Sequence, residues 1–381
     1  MIPYSRQDID ERDIKAVEKV LLSDYITQGP AVDSFESAIA RHVGAKYAVA
    51  FNSGTAALHG AYFAAGISSD YEVLVPAITF AATGNAALYL GAKPVFVDVR
   101  LDSGLIDLND AQMKVTPKTK LIVAVDYAGR AADLSAVRAF AKKHDLIFIE
   151  DGAQSLGAEY KGKPVGSQAD MTMFSFHPVK SITTAEGGII VTDSREYYEK
   201  MLMFRTHGIT KDPAKLTRSD YGAWYHEMQH LGFNYRLTDI QAALGESQLK
   251  RLDSFISKRR AVARRYPSLL KDIPGIILPP SDTEANKSAW HLYAIRLAPE
   301  ISHRRDEVFS KLRAAGVGVQ VHYLPVYLHP YYQDLGYQKG LCPNAETFSF
   351  SEISIPIYPI LTLAHQKLIA KTVKDAVTQS A

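Results

Sequence analysis

Thiols are almost absent from this chain. Cys342 is the only cysteine among 381 residues, which excludes an internal disulfide and leaves too few sulfur ligands for an iron–sulfur cluster or a zinc site. Such a composition suits a reducing cytoplasm, and Cys342 itself reads as a small buried or loop residue. Charge of one sign is missing too, since 43 basic residues stand against 41 acidic ones for a net charge of +2. That balance supplies none of the basic field that nucleic-acid binding requires. No apolar run reaches the roughly 18 residues of a membrane span, and the N-terminal residues lack the apolar stretch of a signal peptide. Internal repeats and low-complexity segments are also lacking. The expectation is a soluble cytoplasmic protein with no nucleic-acid partner, no membrane partner and no metal.

What is present is a regular alternation. Short apolar, β-branched runs at Tyr47–Phe51, Val73–Val75, Val95–Val97, Leu121–Val125 and Ile147–Ile149 alternate with helical patterns such as Leu134 to Lys143. This order predicts an α/β fold with a mostly parallel sheet, helices on both faces, and ligands at the carboxyl ends of the strands. With 47% hydrophobic residues the chain can build a large core, and its length predicts about two domains. A large domain is expected over residues 1–250 and a smaller C-terminal α+β domain over 251–381. A long polar helix is expected from Thr238 through Arg259, and its basic run (Lys250, Arg251, Lys258, Arg259, Arg260) reads as a solvated helix face. Beyond the break at Gly275–Pro280, strands are expected near His291 to Leu297 and at Gly318 to Tyr323, with helices near Arg305 to Ala314 and Leu363 to Val377.

Three motifs carry chemistry. Lys180 closes the segment Ser175-Phe176-His177-Pro178-Val179-Lys180, just after one β-like run, while Glu150-Asp151 ends another. A pyridoxal phosphate enzyme needs this pair, an amine that links to the cofactor aldehyde and a carboxylate that keeps the pyridine nitrogen protonated. The third motif is Asn52-Ser53-Gly54-Thr55, between a strand run and a helical pattern at Ala57, Leu58, Ala61 and Ala65. Gly54 and Thr55 would then sit at a helix N-terminus, where free N–H groups and the helix dipole favour a phosphate; a plain N-cap by Ser53 or Thr55 is the alternative. The hydroxyl of Ser175 is placed to reach the same phosphate, and Phe80 offers a flat apolar face for a pyridine ring, unless it is core. Asp126 reads as a structural turn residue or as a support behind the site. His177 and His322 are assistants to proton transfer or satisfied structural residues, and Arg236 receives a donor carboxylate or anchors a helix.

On these residues, and on Ile26-Thr27-Gln28-Gly29-Pro30, Phe233 to Asp239, Gln241 to Gly245 and Val321-His322-Tyr323, the chain resembles the fold-type I sugar aminotransferases of the DegT/DnrJ/EryC/StrS type over essentially its whole length. Tyr4 to Asp10, Val125 to Gly129, Lys180 to Gly188 and Gly318 to Tyr323 are similar, more narrowly, to the UDP-4-amino-4,6-dideoxy-N-acetyl-β-L-altrosamine transaminases of pseudaminic acid biosynthesis. The resemblance implies a pyridoxal 5'-phosphate enzyme that moves the amino group of L-glutamate to a nucleotide-linked 4-keto-sugar. Lys180 and Asp151 would be catalytic, Gln154 a ring contact, and Gly54, Thr55 and Ser175 phosphate ligands. Asn234 would join them from a second subunit of a homodimer. Tyr4, the stretch Asp24, Tyr25, Ile26 and Thr27, and the stretch Gln320, Val321, His322 and Tyr323 fall where those transaminases contact the sugar nucleotide. Two departures bear on substrate choice: Gln154 stands where His is usual, and the segment 209–231 is longer than in those enzymes. Other keto-sugars, toward bacillosamine, perosamine or aminoarabinose, are the alternatives. A related dehydratase would carry histidine in place of Lys180, and a regulator on this fold would need a DNA-binding module.

Overall fold

The computed structural model describes residues 1–218 and 221–378. Seven strands form the main sheet: β1 (Tyr47–Phe51), β2 (Glu72–Pro76), β3 (Lys93–Val97), β4 (Thr119–Val125), β5 (Ile147–Asp151), β6 (Met171–Ser175) and β7 (Gly188–Thr192). Their order is β1-β7-β6-β5-β4-β2-β3. The pairs β2–β3, β2–β4, β4–β5 and β5–β6 are parallel, and β7 runs against both β1 and β6. Every residue of β2 and of β7 is buried, as expected of strands covered by helices on both faces. The expected strand runs and the helix Leu134–Lys143 are therefore in place.

Parallel strands place their carboxyl ends along one edge, so Phe51, Val125, Asp151 and Ser175 end side by side. The antiparallel β7 begins there, with Gly188 opposite both Phe51 and Ser175. Behind that edge lies the helix Gly54–Ala64, in which most residues are buried. It is rich in alanine and glycine because it packs closely: a Cβ on Gly60 would stand 2.7 Å from the ring of Phe51.

A second sheet, β8 (Ile276–Ile277), β9 (Tyr293–Leu297) and β10 (Glu352–Ile355), is antiparallel in the order β8-β9-β10. Together with the helices Arg305–Ala314 and Leu363–Thr378 it encloses a second apolar core that includes Tyr266, Ile295, Leu312, Ile353 and Ile369. The helix Leu252–Leu270 serves both cores: Leu252, Phe255 and Ile256 pack into the larger one, and Val262, Ala263, Tyr266 and Leu270 into the smaller.

Three expectations are corrected here. The long polar helix is two helices, Asp239–Leu249 and Leu252–Leu270, parted at Lys250 and Arg251. Nor is its basic run a solvated face. Lys250 is exposed, but Arg251 is drawn inward by the fully buried side chain of Asp13, and Arg259 is 1% exposed. Gly318 to Tyr323 is not a strand. Isolated bridges join Val317 to Ile2 and Gln320 to Ser354, after which the backbone turns to side chains: the His322 N–H donates to Glu352 Oε2 at 2.8 Å, and the His322 carbonyl accepts from the Tyr127 hydroxyl at 2.6 Å. Among the described residues no helix is long and apolar enough to cross a membrane, and no cluster of His, Cys, Asp or Glu is arranged to hold a metal ion.

Gly188 tests this packing. A Cβ there would stand 2.6 Å from the backbone N and Cα of Gly54, atoms that cannot rotate aside. Gly188→Ala should cost about 1–3 kcal/mol, measured by urea unfolding; a variant within experimental error of the parent would contradict the packing described.

Candidate active site

A cavity of about 400 Å3 opens at the carboxyl ends of β4, β5 and β6. Asp151 lies on its floor, because β5 continues to that residue before the chain turns. Thr83, in the helix Ala81–Tyr89, donates its hydroxyl to Asp151 Oδ2 at 2.7 Å, and the Ala153 N–H donates to Oδ1 at 3.2 Å. Thr79 and Thr83 share a further hydroxyl contact of 2.6 Å. Burial pushes the Asp151 carboxyl above its ordinary value, against the two hydrogen bonds and the charge of Lys180, which pull it down. Such a carboxyl gains most from a cation placed within reach.

Lys180 lines the same cavity. The turn after β6 is closed by the Lys180 N–H donating to the His177 carbonyl at 2.9 Å. Burial brings its amine down from 10.5 to about 8; the Asp151 carboxylate opposes that shift and the Arg259 guanidinium assists it.

At one wall the helix Gly54–Ala64 begins. Ser53 is its N-cap, accepting from the Ala56 N–H at 3.0 Å, so the alternative N-cap reading is realised in Ser53. That cap satisfies the third N–H of the helix and leaves those of Gly54 and Thr55 without an intrahelical partner. A Cβ on Gly54 would meet Ser175 Cβ at 3.3 Å; the missing side chain keeps a hollow between two N–H groups and a hydroxyl. Phe80 stands at the rim, 62% exposed, with its ring centroid 6.1 Å from that of Tyr323.

Gln154 is fixed at both ends, its Oε1 accepting from the Ala128 N–H at 2.7 Å and its Nε2 donating to the Tyr323 hydroxyl at 2.9 Å. The buried His322 has Nδ1 at 2.8 Å from the Ser354 hydroxyl, which donates to Glu352. Burial lowers His322 to about 3, with Lys180 adding to the effect, and pushes Glu352 up to about 8. His322 is therefore a neutral imidazole at neutral pH.

The expected site residues divide into two groups. Tyr4, Gly54, Thr55, Phe80, Asp151, Gln154, Ser175, Lys180, His322 and Tyr323 line the cavity, as does His177. Asp24, Tyr25, Ile26 and Thr27 do not; they lie on the surface beside the end of the helix Glu11–Leu21, where Ile26 accepts from the Asp239 N–H. Asn234 is likewise exposed and outside this cavity, its carbonyl accepting from Asn52 Nδ2 at 3.4 Å. Gln320 and Val321 stop short of the cavity, held by Gln320's main-chain bonds to Ser354. Asp126 is a buried turn residue, accepting from the Ser155 hydroxyl and the Ala132 N–H.

Two site residues escape sequence reasoning. Thr83 shows as a hydroxyl one helical turn from Thr79, a spacing that carries no signal until Asp151 faces it. His291 lines the cavity with its Nδ1 buried and unpaired, and burial, Lys180 and Arg259 hold it neutral. A lone histidine in an apolar run gives no sign of this.

The residues present fit pyridoxal phosphate: paired N–H groups and a hydroxyl for a phosphate, an apolar rim ring for a planar face, and a carboxylate and an amine that line the same hollow. The sequence pattern of the DegT/DnrJ/EryC1/StrS aminotransferase family matches residues 7–374. The UDP-4-amino-4,6-dideoxy-N-acetyl-beta-L-altrosamine transaminase of Campylobacter jejuni subsp. jejuni serotype O:23/36 (strain 81-176) is 40% identical over 374 residues, 98% of this chain and 96% of its own. Helicobacter pylori PseC, an aminotransferase involved in the biosynthesis of pseudoaminic acid, superposes with a TM-score of 0.91 at 37% identity over 99% of each chain. Spr1654 of Streptococcus pneumoniae, solved in a PLP-form and a PMP-form, superposes in its PMP-form with a TM-score of 0.93 at 32% identity over 99% of each chain. The chain belongs to the DegT/DnrJ/EryC1/StrS aminotransferase family and is a nucleotide-sugar aminotransferase that uses pyridoxal phosphate.

Proposed function

We propose that this enzyme transfers the amino group of L-glutamate to C4 of UDP-2-acetamido-2,6-dideoxy-β-L-arabino-hex-4-ulose, giving UDP-4-amino-4,6-dideoxy-N-acetyl-β-L-altrosamine and 2-oxoglutarate. The observation that carries the chemistry is that the Lys180 amine and the buried carboxyl of Asp151, held by Thr83, line one cavity, where burial lowers the amine and raises the carboxyl. The sugar assignment is supported by the relatives named above and by the segments Tyr4 to Asp10, Ile182 to Gly188 and Gly318 to Tyr323. In this reading cofactor binding falls to residues 1–250, and residues 251–381 form a smaller C-terminal domain.

When bound, pyridoxal phosphate supplies an electron sink through its ring. Gly54, Thr55 and Ser175 would hold its phosphate, Phe80 and Gln154 would contact its ring, and Asp151, oriented by Thr83, would keep a proton on the ring nitrogen. With its pKa brought down to about 8, the Lys180 amine gives up and regains a proton near neutral pH far more readily than an ordinary lysine. Its Nζ takes a proton from the α-carbon of glutamate and later delivers one to C4 of the sugar, so the face it occupies sets the configuration there. Tyr4, His322 and Tyr323 contact the sugar, with the neutral His322 held in place by Ser354.

The residues outside the cavity fit a homodimer with shared sites. Asn234 and the stretch Asp24 to Thr27 are exposed, and Leu22, Tyr25 and Ile26 present apolar surface beside them. In this assembly Asn234 of one subunit completes the phosphate cradle of the other, while Asp24 to Thr27, with Gln320 and Val321, extend the nucleotide site. A cytoplasmic location, where nucleotide sugars are made, accords with the single cysteine.

Lys180→Ala should remove the visible absorbance of the lysine-bound cofactor and slow turnover by about 10² to 10⁴; near-native turnover would exclude Lys180 as the proton carrier. Asp151→Asn should keep that absorbance yet lose most of the rate, as followed by 2-oxoglutarate formation. Mixing Lys180→Ala subunits with Asn234→Ala subunits should restore part of the activity that neither shows alone, and a fully active monomer at assay concentration would refute the shared site. For the substrate, product is measured by mass spectrometry from the L-arabino 4-keto compound and from its D-xylo epimer. Polar groups left unpaired by the wrong ring discriminate by about 10⁴, so a preference for the D-xylo compound would overturn the sugar assignment.

A further inference from the structure

Among the described residues the largest fully buried side chain is charged. Arg259 is 1% exposed, and among the described residues no carboxylate pairs with it. Its neighbours in sequence behave otherwise: Arg251 pairs with Asp13, and Arg260 with Glu159. A guanidinium is expensive to bury without a counter-ion, and an apolar residue at this point of the helix would serve packing better.

What Arg259 has instead is carbonyl oxygen. Nη1 donates to the carbonyls of Trp290 at 3.2 Å, His291 at 3.4 Å and Ile357 at 3.0 Å, and Nη2 donates to the carbonyl of Val179 at 3.3 Å. Each of these segments leads to the cavity. Val179 is joined by its peptide to Lys180, His291 lines the wall, and the Ile357 N–H donates to the carbonyl of Tyr4 at 3.0 Å. Ser5 donates to the same Val179 carbonyl at 3.3 Å. Arg259 also lies on the helix between the residues that pack into the larger core and those that pack into the smaller one.

We propose that Arg259 is a positioning residue for Lys180: its four-carbonyl clamp fixes the Val179–Lys180 peptide against the C-terminal core and keeps a permanent positive charge behind the amine. The clamp sets where Nζ can reach, and the charge sets how readily Nζ releases a proton. The second effect is electrostatic and adds to that of burial. The titratable groups that line the cavity with Lys180 are Asp151, which favours its charged form, and His177, His291, His322, Tyr4, Tyr323 and Glu186. His291 and His322 are held neutral by burial, which leaves Arg259 as the cation whose field acts on the amine from the protein interior.

This rests on Lys180 being the cofactor-linked lysine, and the test separates the two claims. The visible absorbance of the cofactor-loaded enzyme is titrated with pH in the parent, in Arg259→Gln, which keeps two donors but no charge, and in Arg259→Lys, which keeps the charge but loses the fork. Removal of a nearby cation makes protonation easier, so the Gln variant should titrate about one unit higher. The Lys variant should titrate as the parent does, with kcat reduced at least tenfold and KM for the sugar nucleotide little changed. A folded, loaded Gln variant with an unmoved titration would overturn the proposal. If that variant does not fold, near-native kcat in Arg259→Lys would overturn it instead. A purely structural arginine would lower Tm in both variants and move neither the titration nor the split between kcat and KM. Retention of the absorbance in Lys180→Ala would instead show that the underlying assignment of Lys180 had failed.

Discussion

The site depends on two opposite charges confined to one poorly solvated hollow. Burial acts on both in opposite senses, raising Asp151 and lowering Lys180, and each is also held partly charged by the other. Neither would be of use alone at the protein surface, where a carboxylate stays ionised and an amine stays protonated. The architecture that produces the pair is a register: β5 and β6 are parallel neighbours with Asp151 opposite Met173, so the turns that follow them open on the same side. Thr83 and the cap at Ser53 then come from helices that start at that same edge.

Close approach is the second requirement. The helix Gly54–Ala64 enters at the junction of β1, β6 and β7, and Gly188 lets it come within contact of the sheet. A side chain at Gly188 would displace the very N–H groups that face the hollow. Packing and ligand geometry are thus one constraint here, which is why glycine stands at both points of contact, Gly54 and Gly188. The C-terminal portion adds the remaining wall through His322, Tyr323 and His291, and the helix Leu252–Leu270 joins that wall to the lysine turn.

Five of the seven strands of the main sheet, their order along the chain and the cavity's central residues were legible because short apolar runs with β-branched residues and a serine before an alanine-rich helix are local signals, whereas the antiparallel strand Gly188–Thr192 was not read. Asp151 and Lys180 followed from their place at or just after β-like runs, and Ser175 from its spacing to Lys180. What escaped depends on distant partners. The basic run around Arg251 and Arg259 looked solvated because sequence gives charge without giving direction, and Asp13 and the four carbonyls lie far along the chain. Gly318 to Tyr323 alternates like a strand, yet its backbone is taken up by Glu352 and Tyr127. His291 gave no signal, since its neighbours are apolar and its role comes from the wall it joins. Asp24 to Thr27 and Asn234 were named through resemblance, and a single chain leaves them outside the hollow.

Ser53 has a consequence for the life of the cofactor. Because the helix supplies its own cap through Ser53 and Ala56, its first turn is already wound before any phosphate arrives, and the two unclaimed N–H groups wait in a fixed orientation. A cofactor phosphate would then dock against a turn that the chain already holds, rather than winding it.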